Sequence, residues 1–395
     1  MPHDDGPREL GKRVAYFRRI ARMTQRELAD AACLHIGTVQ KIERGARGAG
    51  DGVRDALAAA LGIDPSRLES GQDRSDARVH EAMPGLSAVL AAYDVPADGP
   101  TRSLPELRSV VGDAVTWRLS AHYAQIARHL PLLVDELTRA FHAASADDRR
   151  EAAHLLAAAY RTADAVAYKF RARDLSARLI ELMRWVAPYA ENPLLDAATA
   201  YVRTETFFTA QAHAAGLRAL ERAIDASPNP VGPHATAARG ALHMRAAVIA
   251  GRAADPVAAH EHLAQARALA ELVPEGVYTG TAFGPDSVRI HRVAVAVSLG
   301  NDHTHRALDE VNGWRPPHHL PAERRSGFHI ELARAQLWSG DPHAAFASLR
   351  AARRIAPQHA REHRWVREDV ATLRRLRRSD AGTLTEFARW CHAYE

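Results

Sequence analysis

Apolar residues recur with a helical period in the first seventy residues of the chain. In the segment ELGKRVAYFRRIARM, Leu10 and Val14 lie on one face of a predicted helix. Thr24 opens the next helix, TQRELADAA, because a threonine followed three residues later by a glutamate, Glu27, is typical of a capping box. Two more helical segments, HIGTVQKIERG and VRDALAAALGI, follow after short breaks. With a last short segment, the pattern predicts five helices in residues 8–70.

The rest of the chain is predicted to be helical too. Residues 71–83 are polar and form a predicted linker. In residues 84–395, long amphipathic stretches alternate with short breaks that carry Pro, Gly or Asp, and strand alternation is absent. Such helix pairs, spaced by roughly 35–40 residues, are what a helical solenoid requires. The segment 339–359 looks most like a tetratricopeptide second helix. The predicted fold is all-α, with a tetratricopeptide-like helical solenoid in residues 84–395.

Composition narrows the class of protein. Apolar residues make up 47% of the chain and charged residues 25%, which is typical of a globular protein. Cys33 and Cys391 are the only cysteines, so a disulfide framework or a cysteine-rich zinc site is excluded. The first residues, MPHDDGPREL, contain no apolar run, and no stretch approaches membrane-spanning length. We therefore expect a cytoplasmic protein without a membrane partner.

Positive charge is concentrated in two segments. Residues 8–54 contain eleven Lys or Arg against five Asp or Glu, and residues 350–378 contain ten Arg against three acids. Segments this basic are candidate surfaces for nucleic-acid phosphates. For the second segment, a solvated helix face is an equally good interpretation.

The segment TQRELADAACLHIGTVQKIERG (24–45) resembles the helix-turn-helix of lambda-repressor-like regulators, the xenobiotic-response-element family. Several independent demands fall at the right spacing: Ala29 is small where two helices cross, and Leu28 and Ile42 belong to the small core. Arg18 and Glu43 occupy the positions where that family places an ion pair between helices. The resemblance implies a five-helix DNA-binding domain in residues 8–70.

The resemblance implies DNA contacts at individual positions of this sequence. The second helix of such a domain lies across the phosphate backbone, and the third enters the major groove. Gln25 would anchor a phosphate at a helix N-terminus. The residues expected to face base edges are His35, Ile36, Gly37 and Lys41, and those expected near the backbone or groove wall are Thr38, Gln40 and Arg44.

Two departures from the family pattern affect this expectation. Cys33 replaces the usual turn glycine, so a residue with a β-carbon is expected to hold a positive φ. Ile36 and Gly37 replace polar residues, and neither side chain can donate a hydrogen bond to a base. Lys41 is therefore the first candidate for reading guanine, with His35 second.

The whole chain resembles actinomycete regulators that join this domain to a tetratricopeptide-like region, in segments 79–100, 279–301 and 359–378. That resemblance implies transcriptional control and a small-molecule or peptide signal. Aromatic and basic residues at helical spacing, and the stretch GTAFGPDSVRIH, supply candidate ligand contacts, although packing residues and a loop-to-helix start explain them as well. The candidates are Tyr160, Tyr168, Tyr201, Arg203, Phe283, Arg289 and His291.

No enzyme motif or cofactor-binding pattern is found: His359 and His363 lie four residues apart, but HAREH lacks the HExxH arrangement. We expect a sequence-specific transcription regulator that needs no cofactor. Its single recognition helix has few base readers, so we expect a homodimer on a palindromic operator. The repeat domain is expected to dimerise and to sense an effector. The alternative is a protein-interaction scaffold in which DNA binding is secondary.

Overall fold

The computed structural model describes residues 6–63, 68, 73–376 and 381–393. Parts of the predicted segments, residues 64–67, 69–72 and 377–378, lie outside these ranges. The chain divides into two compact units, Met1–Ala82 and Met83–Glu395. In the first unit the helices are α1 (Gly6–Ile20), α2 (Gln25–Ala31), α3 (Ile36–Glu43) and α4 (Asp51–Leu61).

The sequence signals of the first unit act as expected. The hydroxyl of Thr24 accepts a hydrogen bond from the amide of Glu27, and the carboxylate of Glu27 accepts one from the amide of Thr24 at 2.6 Å, which confirms the capping box. Leu28, Val39 and Ile42 are fully buried. They join Leu10, Val14, Ala29, Ala32, Leu57, Ala58, Leu61 and Leu68 in one core cluster.

Cys33 holds the left-handed conformation expected of it. Its φ is +52°, between α2 and α3. The amide of Leu34 donates to the carbonyl of Ala29 at 2.8 Å, the hydrogen bond that closes a helix C-terminus over a left-handed residue. The positive φ expected of this residue, which has a β-carbon, is thereby confirmed.

Helix α5 (Asp73–Ala91) runs through most of the predicted linker, and the division between the two units falls within it. Pro84 lies inside this helix. Residues 73–83 contain Ala, Arg, Glu and Met, whose high helix propensities make a helix compatible with this composition.

The second unit consists almost entirely of helices, so the chain is all-α. After α5 they are α6 (Leu104–Leu119), α7 (Tyr123–Ala143), α8 (Ala146–Lys169), α9 (Arg173–Val186), α10 (Pro193–Thr209), α11 (His213–Ala226), α12 (Pro233–Arg252), α13 (Pro256–Ala270), α14 (Pro285–Leu299), α15 (Thr304–Val311), α16 (Ala322–Trp338), α17 (Pro342–Ile355), α18 (Pro357–Glu362), α19 (Arg364–Leu376) and α20 (Ala381–Trp390). Short 3-10 helices occupy Ala187–Ala190 and Asn301–His303.

Five helix pairs are joined by the same tight turn. A residue with positive φ follows the first helix, and the next residue's amide donates to a carbonyl five residues back, at 2.8–3.0 Å. The five left-handed residues are Ala121, Arg171, Gln211, Ala254 and Gly340. The turns at Ala121 and Gln211 carry none of the Pro, Gly or Asp residues that mark the breaks expected from the sequence.

One element was not predicted. Strands β1 (Gly276–Tyr278) and β2 (Thr281–Phe283) form an antiparallel hairpin in which Tyr278 pairs with Thr281. Its two turn residues, Thr279 and Gly280, have φ of +45° and +72°, as a primed hairpin turn requires. The strands are three residues long, too short to produce a detectable alternation.

Candidate functional site

The expected recognition helix α3 is fixed to α1 by an ion pair. The guanidinium of Arg18 donates to the Glu43 carboxylate from Nε at 2.6 Å and from Nη2 at 3.0 Å. Burial opposes ionisation of Glu43, but hydrogen bonds from Arg18 and from Gln25 outweigh it, so its pKa is lowered. The predicted ion pair between helices is confirmed.

Gln25 belongs to the same network. Its Nε2 donates to Oε2 of Glu43 at 2.7 Å, which ties the start of α2 to the end of α3. An amide nitrogen carries two hydrogens, so one remains for a phosphate oxygen. The sequence predicted the phosphate contact but not this second role.

His35 caps the recognition helix. Its Nδ1 accepts a hydrogen bond from the amide of Gly37 at 3.1 Å. In the neutral ring the hydrogen is therefore on Nε2, which can donate to a base acceptor. The side chain is exposed and thus combines a structural role with the predicted readout role.

The other residues predicted to contact DNA differ in their solvent exposure. Lys41 and Arg44 are exposed, and the guanidinium of Arg44 donates to the carbonyl of Gln40 at 3.2 Å. Ile36 is half-buried and packs partly against the core of the unit, which leaves only part of its surface for a thymine methyl. The half-buried positions of α3 also include Gly37, Thr38 and Gln40.

The second unit contains a cavity of about 260 Å³, called here the central cavity. Helices α6, α8, α10, α12, α14 and α16, the β-hairpin and the α18 end line it. Its wall contains six cationic side chains and four carboxylates, together with aromatic rings. The cations are Arg118, Arg161, Lys169, Arg245, Arg252 and Arg324; the acids are Asp164, Glu205, Glu323 and Glu331.

Three of the seven predicted ligand contacts line the central cavity: Tyr168, Tyr201 and His291. Arg324 contacts two of them, from Nη1 to Nε2 of His291 at 3.0 Å and from Nη2 to the hydroxyl of Tyr201 at 3.4 Å. Burial raises the pKa of Tyr201, but Arg245 and Arg324 outweigh that effect and lower it to about 8. A cation-rich wall explains this shift.

The other four do not line this cavity. Phe283 is fully buried because its ring fills the space above Gly240 of α12. Tyr160 is fully buried, and burial raises its pKa to about 12. The guanidinium of Arg289 donates to the carbonyl of Glu310 and lies 4.7 Å from the ring centroid of Trp314. Arg203 stacks on Phe207 at 5.3 Å.

The second basic segment holds the C-terminal helix in place. Arg367 donates to the carbonyl of Cys391 at 3.1 Å, and Arg374 donates to that of Ala393 at 3.4 Å. Arg353 lies 4.5 Å from the ring centroid of Trp390. These contacts give three of the arginines in segment 350–378 a role within the unit.

The helix-turn-helix family matches residues 14–68. Among curated proteins, none matches this chain. Two solved structures are similar at a TM-score of 0.29. PlcR of Bacillus thuringiensis, in complex with the peptide PapR7 and DNA, is 13% identical over 67% of this chain and 95% of its own. The apo form of the competence regulator ComR from Streptococcus vestibularis is 10% identical over 92% of this chain and 98% of its own.

In the part of the chain that the structure describes, no helix is long and apolar enough to cross a bilayer. The match at residues 14–68 coincides with the capped α2, the turn at Cys33 and the α1–α3 ion pair. The N-terminal unit is a helix-turn-helix domain of the lambda-repressor-like kind.

Proposed function

We propose that α3 reads an operator in the major groove while α2 is anchored on a phosphate. The observation that carries this proposal is the locked α1–α2–α3 network: Glu43 binds both Arg18 and Gln25. A recognition helix held at its end presents its first turn and Lys41 in a fixed register to base edges. The proposed base readers are Lys41 and His35. The proposed contacts to the DNA backbone are Gln25, Thr38, Gln40 and Arg44. The residues that approach a base edge without a side-chain hydrogen bond are Ile36 and Gly37.

The test begins with a genome-wide map of bound DNA, which supplies the operator. Lys41→Ala should weaken operator binding by about 1–3 kcal/mol and relax specificity, the usual worth of one base contact. Gln25→Ala should weaken binding to operator and to random DNA alike, because a phosphate contact does not depend on sequence. If Lys41→Ala kept both affinity and specificity, the proposed docking would be wrong.

We propose further that the second unit, a tetratricopeptide-like repeat domain, dimerises the protein and senses an effector in the central cavity. What supports sensing is the cavity itself, which lies among inner helices and is lined by convergent polar groups. A scaffold that binds protein partners would instead need an open apolar groove. An effector alters operator affinity only by binding one arrangement of the dimer better than another.

The sensing proposal is tested in cells. The fragment 1–82, fused to an artificial dimeriser, is compared with the full chain for promoter control under varied growth conditions. A fragment that still responded to the same conditions would show that the repeat domain is not the sensor.

A further inference from the structure

The central cavity contains more positive charge than its own carboxylates compensate. Lys169 is paired with Glu323 at 2.8 Å, and Arg245 with Glu205 at 3.4 Å. Among the described residues, no carboxylate lies within 4.0 Å of the other four guanidinium groups. These four are Arg118, Arg161, Arg252 and Arg324.

The four guanidinium groups have neutral partners. Arg118 donates to the carbonyl of Gly280 at 2.9 Å, and Arg161 donates to the carbonyl of Thr279 at 2.6 Å. Arg252 lies 4.3 Å from the ring centroid of Phe208. Arg324 contacts Tyr201 and His291, as described above. Neutral hydrogen bonds and rings leave the net charge in place.

Two of the acids contribute less charge than their number suggests. Burial raises the pKa of Glu331 to about 7. Burial, and then the neighbouring Glu205, raise the pKa of Asp164 well above its usual value. Among the cations, burial and the charge of Arg118 lower the pKa of Arg161 to about 9, which still leaves it charged at neutral pH. The excess of positive charge therefore persists under physiological conditions.

Buried polar atoms in the wall also lack partners. Two of them are donors, Nε of Arg118 and Nε of Arg245, whereas Oε2 of Glu205 is an acceptor that an anion would not satisfy. Arg118 is only 8% exposed, and its guanidinium is directed at the hairpin turn that borders the cavity. Leaving buried donors unpaired and buried charge uncompensated is costly, and a bound anion would remove both costs.

We propose that the central cavity binds a small anionic molecule, through a carboxylate or phosphate group held by the arginines of α6, α8, α12 and α16. This inference rests on the sensing role proposed above and gives the effector its chemical class. The volume of about 260 Å³ is compatible with a compact metabolite. Arginine is the side chain best suited to such groups, since its planar fork binds two oxygens at once.

The test is isothermal titration of the full chain with inorganic phosphate and, separately, with succinate, at an ionic strength held constant with chloride. We expect saturable binding of one anion per chain. Arg324→Gln and Arg245→Gln should weaken it about tenfold or more, because each removes a charge-assisted hydrogen-bond donor. The matched control is Arg222→Gln, an exposed arginine on α11, which should bind as the unaltered chain does.

A melting measurement keeps the result independent of misfolding. Without anion, Arg324→Gln should unfold at the same or a higher temperature than the unaltered chain, because it removes uncompensated charge. At ten times Kd, the anion should raise the melting temperature of the unaltered chain by about 2–4 °C and leave that of Arg324→Gln unchanged. Binding of phosphate alone or succinate alone supports the site and identifies the anionic group.

The inference is overturned if neither anion binds beyond chloride, or if Arg324→Gln binds as tightly as the control. Operator affinity, measured with and without the probe, separates this inference from the sensing role. Anion binding that leaves operator affinity unchanged supports the site and contradicts the sensing role. A promoter response that survives intact in Arg324→Gln cells contradicts the anion as effector and leaves the repeat domain as sensor.

Discussion

At the scale of single residues, His35 has two tasks that can be separated. Its Nδ1 caps α3, and its Nε2 is free to donate to a base. His35→Ala removes both, and loss of an N-cap costs about 0.5–2 kcal/mol. His35→Asn restores an acceptor for the Gly37 amide but presents a different group to the groove.

We therefore predict that hydrogen exchange of the α3 amides in the full chain accelerates in His35→Ala and returns toward the original rate in His35→Asn. Operator discrimination should fall in both variants. Equal exchange in the alanine variant and the unaltered chain would mean that the cap contributes nothing.

Cys33 carries a conformational cost that glycine would avoid. Its φ of +52° brings the β-carbon too close to the following carbonyl, which costs roughly 1–2 kcal/mol, partly offset by the entropy that glycine loses on folding. Cys33→Gly should stabilise the α2–α3 turn by about 0.5–1 kcal/mol. The matched control, Cys33→Ala, keeps the β-carbon and should change little, since the side chain is exposed.

The measurement is hydrogen exchange in residues 25–43 of the full chain. If Cys33→Gly exchanged no more slowly than Cys33→Ala, backbone strain at this position would be negligible. The positive φ of Cys33 could be predicted from the sequence because the family usually has a glycine at this turn position. The sequence did not reveal that His35 caps α3, because histidine is an uncommon N-cap. The predicted role of His35 in base readout also gave no reason to look for a second one.

At the scale of elements, the crossing of α1 and α3 depends on Gly11. A β-carbon at this position would lie 2.3 Å from the carbonyl oxygen of Ile42 and 2.7 Å from that of Glu43. Backbone cannot yield as a flexible side chain can, so the two helices would have to separate. That separation would also lengthen the bond between Arg18 and Glu43.

Gly11→Ala should therefore destabilise the N-terminal unit by about 1–3 kcal/mol or more, as overpacking does, and weaken operator binding. Gly52→Ala on α4, where nothing lies within 4 Å, is the control and should be neutral or stabilising by up to about 1 kcal/mol. Denaturant unfolding followed by exchange of N-terminal amides measures both. Equal stability of the two variants would contradict the close approach.

Helix periodicity predicted most elements of the second unit but missed two of its five regular turns, those at Ala121 and Gln211. Four of the five left-handed turn residues are Ala121, Arg171, Gln211 and Ala254, none of which signals a turn. Only Gly340 does, and segment 339–359 is the one in which the sequence shows a repeat most clearly. Tertiary packing of neighbouring helices imposes these turns, so local propensity does not report them.

At the scale of the whole molecule, the sequence locates charge along the chain but not within the fold. The two basic segments stand out in the sequence, yet Arg367 and Arg374 of the second hold the C-terminal helix. The central cavity takes its arginines from helices far apart in sequence, from Arg118 to Arg324. No window of the sequence is unusually basic there, so only the packing of the inner helices brings the excess charge together.

The assembly of the protein on DNA depends on how many base contacts one recognition helix can make. Lys41 of α3 and His35, the N-cap of that helix, are the proposed base readers, and two readers are too few for one domain to select a site in a genome. We predict a homodimer in solution, with a mass about twice the 43.2 kDa of the chain. On DNA it should occupy a palindrome with half-sites about 34–36 Å apart, one helical turn.

Sedimentation of the full chain, alone and with operator DNA, measures the mass. Inserting about five base pairs between the half-sites turns them to opposite faces of the duplex and should abolish tight binding, because a dimer with fixed symmetry can then reach only one. Scrambling one half-site should reduce affinity to a similar degree, since it removes the same set of contacts. A chain that sediments as a monomer in both states, or that binds the spaced operator as tightly as the original, would contradict the dimer.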